Sequence, residues 1–131
     1  MIRPRVREIE ESRCDLLYYM RRFDYPHADA HEEIIDYSFV VTCEAGDEIA
    51  GFFWCYAVAD DETTWSAHAL VVPKYQGRFF SRRLMNTLFS VAWTSGADRI
   101  LVENTQTDML LRMGGYRLDG GAVLDLPHQW R

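Results

Sequence analysis

The chain has 131 residues, enough for one domain and too few for two. Hydrophobic residues make up 48% and aromatic residues 14%, which provides for a buried core and excludes a disordered or low-complexity chain. With 14 Lys and Arg against 20 Asp and Glu, the formal net charge of -6 argues against a protein that coats nucleic acid or anionic lipid, although a local basic patch is allowed.

The longest apolar run, Ile49 to Ala59, is about half of the roughly 20 residues that a membrane helix needs. Met1 to Arg5 holds no apolar signal core, so a cytoplasmic protein without a membrane partner is expected. Cys14, Cys43 and Cys55 show no C-x-x-C spacing and fit reduced thiols better than a disulfide framework or a zinc site.

Arg5 to Ile9 is expected to form a short first strand. From Glu10 to Arg22 the apolar residues Cys14, Leu17, Tyr18 and Met20 fall near helical spacing, with acids early and Arg21-Arg22 last, as the helix dipole prefers. Pro26 biases Tyr25 out of the helical region, and a second short helix is expected over Ala28 to Asp36. Tyr37 to Cys43 reads as a strand and Glu44-Ala45-Gly46-Asp47 as a turn. Glu48 to Ala59 is a nearly continuous apolar strand, expected to be buried on both faces. After a turn at Asp60 to Thr63, Trp65 to Val72 completes an antiparallel meander.

The pattern then changes. Pro73 to Gly77 reads as a loop and Arg78 to Thr94 as a helix, with Leu84, Leu88, Val91 and Ala92 at three- and four-residue steps. Arg99 to Glu103 is a short buried strand, and Thr107 to Met113 a short helix stopped by Gly114-Gly115. Tyr116 to Leu118 and Ala122 to Leu126 read as a closing hairpin. The order β-α-α-β-β-β-α-β-α-β-β predicts an α/β chain of the α+β type: one domain, residues 1–131, with helices packed on a mixed central sheet.

The run from Val71 to Met85 carries the chemistry. A strand ends in a loop that opens a helix near Phe79, where free N–H groups and the helix dipole favour negative charge. Arg78, Arg82 and Arg83 surround the same turn. The local pattern fits either a phosphate or pyrophosphate site or a solvated basic helix start.

This run resembles the acyl-CoA-binding segment of the GNAT superfamily of N-acetyltransferases. There a V-x-P strand end precedes an arginine or glutamine, with small residues, glycine first, three and five positions further on. Val71-Val72-Pro73 matches the strand end, and Gln76-Gly77-Arg78-Phe79-Phe80-Ser81 occupies the loop. Arg83-Leu84-Met85-Asn86 is similar to the family's helix, and Asn104 to Tyr116 to its asparagine-led segment ending in glycine-aromatic. The resemblance spans Val40 to Tyr116 and implies a GNAT-like fold. It also implies an acetyl-CoA-dependent N-acetyltransferase acting by direct transfer on an amine of a small molecule or protein. Acetyl-CoA would be held by the strand-end amides of Val71 and Val72, by Gln76, Gly77, Arg78, Phe79, Phe80, Ser81, Arg82 and Arg83, and by Asn104, with no metal.

The sequence departs from the family at four positions. Phe79 and Ser81 stand at the glycine places, Leu111 at the place of the tyrosine general acid, and Trp65 where the histone-acetyltransferase branch has a glutamate base. Two residues could replace the missing groups. His68, on the same side of its strand as Ser66 and Leu70, is either a base titrating near neutrality or a partly buried residue bonded to backbone. Glu103, closing the fifth strand, is either a base or a helix-capping carboxylate.

His27 and His31, with Asp24, Asp29 and Glu32 nearby, read as a solvated polar helix rather than a zinc pair. In the GNAT comparison they overlie the acceptor site and favour a cationic amine. Phe52, Phe53, Trp54, Tyr56 and Trp93 read as core and sheet surface.

A second class of function is a GNAT-fold protein that has lost catalysis and serves in interaction or assembly. Asn104-Thr105, the apolar helix after it and Gly114-Gly115 are weakly similar to small phage-encoded GNAT-like proteins, which implies a virion location. Exposed aromatics and Pro127 to Arg131 would then contact an assembly partner or a second copy in a homo-oligomer. Phe79 points to this class, whereas Gln76-Gly77-Arg78 and Asn104 point to the enzyme.

Overall fold

A computed structural model describes residues 2–5, 9–26, 28–35, 39–103 and 107–129. The elements follow the expected order. They are β1 (Ile2–Arg5), α1 (Ile9–Arg22), α2 (Ala28–Ile35), β2 (Phe39–Ala45), β3 (Glu48–Val58) and β4 (Asp61–Val71), a single 3-10 turn (Pro73–Tyr75), then α3 (Arg82–Thr94), β5 (Arg99–Glu103), α4 (Thr107–Arg112), β6 (Tyr116–Leu118) and β7 (Gly121–Asp125). Among the described residues the strands form one mixed sheet in the order β1-β2-β3-β4-β5-β7-β6. Only β4 and β5 run parallel.

Several boundaries differ from the sequence reading, each for a local reason. The first strand is Ile2–Arg5, not Arg5 to Ile9. It lies at the sheet edge, paired only with β2, where Pro4 opposite Cys43 can lack an N–H without leaving a central ladder gap. The turn after β2 contracts to two residues because Gly46 takes φ 62°, and β2 runs on to Ala45. β4 begins early, at Asp61, whose carboxylate accepts from the Thr63 amide and from the Thr63 and Thr64 hydroxyls. The Thr64 hydroxyl bond, followed by those from Thr63, pulls the Asp61 carboxyl down to about 2.

The largest correction concerns α3, which starts at Arg82 rather than at Arg78 or near Phe79. Gly77 has φ 86°. Ser81 is extended, and its Oγ accepts from the Leu84 amide at 3.1 Å. A serine N-cap of this kind stabilises a helix by about 1 kcal/mol, and it fixes the first turn four residues later than apolar spacing suggests.

The sheet divides the core. On one face α3 and α4 cover Phe53, Cys55, Phe79, Leu84, Leu88, Phe89, Ile100 and Leu110. On the other, α1 contributes Leu16 and Met20 to a cluster with Phe52, Trp54 and Leu70. Residues 50–55 of β3 are buried throughout, as the apolar run predicts.

Phe79 is 1% exposed, whereas its neighbour Phe80 is 40% exposed. The Phe79 ring lies against Gly51 of β3, where an added Cβ would be 2.7 Å from that ring and would also meet the Leu70 carbonyl oxygen. The missing side chain at residue 51 makes room for the ring at residue 79. Phe79→Ala is therefore expected to cost about 3–5 kcal/mol of unfolding free energy, read from urea midpoints, and Phe80→Ala less than about 1 kcal/mol. Gly51→Ala should also destabilise by several kcal/mol, roughly the upper range for overpacking, because the carbonyl it meets belongs to the sheet. Equal midpoints for Phe79→Ala and Phe80→Ala would contradict the placement of the ring.

Candidate functional site

The site begins where two strands part. β4 pairs with β5 only through Thr64, Trp65 and Ser66 opposite Arg99, Ile100 and Leu101. Beyond that point β4 continues to Val71 while β5 turns to β7 for its partner. The Val72 amide donates to the Ala50 carbonyl at 2.9 Å. Alternation along the strand therefore turns Leu70 and His68 toward β3 as well, and turns the amides of Ala69 and Val71 toward the opening. Of the expected strand-end donors, Val71 is available and Val72 is not. Ala69, whose amide faces the opening, was not singled out from the sequence.

The loop after β4 is braced and also leaves donors open. Glu48, at the start of β3, accepts from Lys74 Nζ at 2.8 Å and from the Tyr75 hydroxyl. The Lys74 bond, then the Tyr75 bond, holds the Glu48 carboxyl below its usual range. The Tyr75 ring is buried, and the Arg78 guanidinium lies 5.4 Å from its centroid and donates to the Lys74 carbonyl. Gln76 closes this turn by donating its amide to the Pro73 carbonyl. Among the described residues no backbone carbonyl accepts from the amides of Gly77, Phe79, Phe80 or Arg83.

The arginines diverge. Arg78 stays on the loop, and Arg82 is exposed in the first turn of α3. Arg83 lines a cavity of about 270 Å³ with Ile2, Arg3, Pro4, Leu84 and Thr87, on the β1 side of α3.

On the α1 and α2 side of the opening, rings gather around His68. His68 stacks on Trp54 (centroids 5.6 Å, 18° between planes) and on Tyr56 (5.2 Å, 12°), and His31 meets it edge-on at 4.9 Å. Tyr25 and His31 each also contact Trp54. Ser66 Oγ and His68 Nε2 are 3.2 Å apart, so the imidazole is bonded to a side chain rather than to backbone. Burial, and then the neighbouring His31, push His68 down to about 4. It does not titrate near neutrality, as the first of its two readings, a base, would require. Burial, followed by Tyr56, holds the Tyr25 hydroxyl protonated beyond its ordinary range.

Glu103 ends β5 and is exposed. Ile100 and Val102 point to the α3 face, so alternation places Glu103 on the His68 face, across the opening. Leu111 packs against the α3 and α4 core, and Trp65 donates its indole N–H to the Glu62 carbonyl at 2.9 Å, so neither carries proton chemistry. Asn104 and His27 lie outside the described residues. His31 belongs to the ring cluster and not to a purely solvated helix face. Among the described residues no group of His, Cys, Asp or Glu is placed to hold a metal ion, and no helix is long and apolar enough to cross a membrane.

The low His68 value makes stability depend on pH. The folded chain keeps the imidazole neutral, while the unfolded chain takes up a proton below about 6.5. Stability is therefore full above about 6.5 and falls as the pH drops from there toward 4. The loss is on the order of 2 kcal/mol after allowance for partial exposure. The drop in urea midpoint between pH 7 and pH 4.5 should be smaller in His68→Gln than in the wild type, and an identical drop would show that His68 is not held neutral.

The model of the acetyltransferase (GNAT) family matches residues 4–114. None of the curated proteins compared matches the sequence. A GNAT acetyltransferase from Brucella melitensis, solved with acetyl-CoA, superposes with a TM-score of 0.64 at 16% identity, covering 100% of this chain and 92% of its own. A GNAT N-acetyltransferase from Escherichia coli, solved with CoA, gives 0.65 at 14% identity over 96% and 81% of the two chains. A GNAT acetyltransferase from Streptococcus pneumoniae gives 0.60 at 11% identity over 94% and 97%. At these identities the structures speak for the fold alone, whereas the family model covers most of the sequence. The chain belongs to the acetyltransferase (GNAT) family.

Proposed function

We propose that the chain is an acetyl-CoA-dependent N-acetyltransferase that passes the acetyl group directly to an amine of a small molecule or protein. The observation that carries this reading is the opening between β4 and β5. There the amides of Ala69 and Val71 point away from the sheet pairing, next to a loop rich in open donors. Family membership supports it, as do the acetyl-CoA and CoA bound by the Brucella and Escherichia coli proteins.

In this reading the Ala69 N–H polarises the thioester carbonyl and the Val71 N–H holds the pantetheine arm. Backbone donors fixed in a strand need no reorganisation as negative charge develops on the carbonyl oxygen. The amides of Gly77, Phe79, Phe80 and Arg83, with the Arg78 side chain, take the pyrophosphate at the start of α3. Gln76 and Arg82 flank that loop, and Ser81 shapes it by capping α3. Asn104 contacts the CoA arm.

The residues fit such a ligand. At Gly77 nothing stands within 4 Å of where a Cβ would be, and the Phe79 ring is turned into the core instead of across the loop amides. His68 and Glu103 serve the acceptor. His68, held neutral, accepts a hydrogen bond from the amine, and the exposed carboxylate of Glu103 takes its proton. The alternative role in interaction or assembly drew on Phe79 as an obstacle at the loop, and with the ring in the core that premise is gone.

Titration calorimetry with acetyl-CoA tests the reading. The wild type should bind, and Arg78→Glu should weaken binding at least tenfold, as expected for loss of a charge-assisted phosphate contact. Arg83→Glu, whose residue lines the cavity beside β1, should weaken it clearly less than Arg78→Glu does. Absence of binding at millimolar acetyl-CoA would defeat the transferase reading, and equal effects of the two substitutions would defeat the loop assignment.

A further inference from the structure

The rings around His68 go beyond what acetyl transfer requires. Trp54, Tyr56 and His68 form a near-parallel column across β3 and β4, and Tyr25 and His31 close its α2 side. Trp54 is 0% exposed, yet among the described residues its indole N–H has no hydrogen-bond acceptor. A buried, unmatched donor is costly, so the rings packed round it are held there at the expense of its hydrogen bond. Tyr56, His68, Tyr25 and His31 are only partly buried, so the column has an accessible end. The acids of α2 lie outside it: Asp29, Glu32 and Glu33 are exposed, and Glu32 is paired with Arg21 at 3.0 Å. Glu103, across the opening, is the carboxylate on the same face.

Resting on the proposed transferase reading, we infer that the acceptor is an amine carried on a planar aromatic or heteroaromatic ring, seated against the partly exposed rings of Tyr56 and His68. Stacked and edge-to-face aromatic contacts favour a flat ring over a puckered saturated ring of equal size. His68 flanks Ala69 on β4, so a ring against it brings its amine to the donor that faces the opening. The nitrogen lone pair forms the N–C bond to the acetyl carbonyl carbon, and the C–S bond breaks. Glu103 takes the proton lost by nitrogen and the departing thiolate gains one from solvent, giving the acetamide and free CoA.

The test compares benzylamine with cyclohexylmethylamine, which match in size and carry the same aminomethyl group but differ in planarity. Binding of each amine is measured by calorimetry without cosubstrate, and transfer by release of the CoA thiol, in the wild type and in Tyr56→Leu. The wild type should prefer benzylamine at least tenfold in kcat/KM, about 1.4 kcal/mol, which lies within what an aromatic contact supplies. Tyr56→Leu, altered at a partly exposed position, should reduce that preference to less than about threefold. Equal use of the two amines, or an unchanged preference in Tyr56→Leu, would overturn the inference. So would acetyl-CoA binding with neither amine bound or acetylated, an outcome that leaves the transferase reading standing. Benzylamine binding without any acetyl-CoA binding would overturn the transferase reading and keep the ring cluster as a site for an aromatic ligand.

Discussion

The site depends on a pairing that β4 gives up. A parallel strand beside β5 normally satisfies its amides along its full length, and here the ladder stops at Ser66. Backbone donors left without a strand partner need water or a ligand. Those of Ala69 and Val71 are held in place because the alternate residues, His68, Leu70 and Val72, stay bound to β3. The same strand is thus fixed on one edge and open on the other. Its two side-chain faces divide the work further: Ala67 and Val71 join the α3 core, while Ser66 and His68 face the ring cluster.

The loop beyond β4 solves a second problem, the presence of a phenylalanine where the family carries glycine. Glycine at such a place admits phosphate by having no side chain. Here the side chain is present but buried, in space released by Gly51 on the neighbouring strand. The main chain of the loop stays uncovered although the local sequence departs from the motif. Glu48 then ties Lys74 and Tyr75 back to β3, so the loop is set by the sheet at its start and by the Ser81 cap at its end.

Much of the fold was legible because its signals are local. The apolar run of β3, the turn chemistry at Gly46 and the helical spacing from Leu84 to Ala92 each mark one element, and the order of elements followed from them. The start of α3 was misplaced because apolar spacing continues back through Phe79 and Phe80, whereas the deciding feature is one hydroxyl, Ser81 Oγ. In the proposed site, motif resemblance is what singles out the loop residues Gln76 to Arg83. The Ala69 donor was not legible, because a backbone amide leaves no mark on residue type and is exposed only by tertiary splaying. The contact of His31, the stacking of Tyr56 on His68 and the lowered pKa of His68 also escaped the sequence, since they arise only when β3 and β4 pair and α2 is laid over them.

Residue-resolved amide hydrogen exchange, with and without saturating acetyl-CoA, tests the central claim most directly. Exchange should slow at Ala69 and Val71 and through the loop amides of Gly77, Phe79 and Phe80, while Leu70 and Val72, already bonded to β3, stay as they were. Unchanged exchange at Ala69 and Val71, with protection appearing elsewhere in the chain, would contradict the assignment of the β4–β5 opening as the acyl-CoA site.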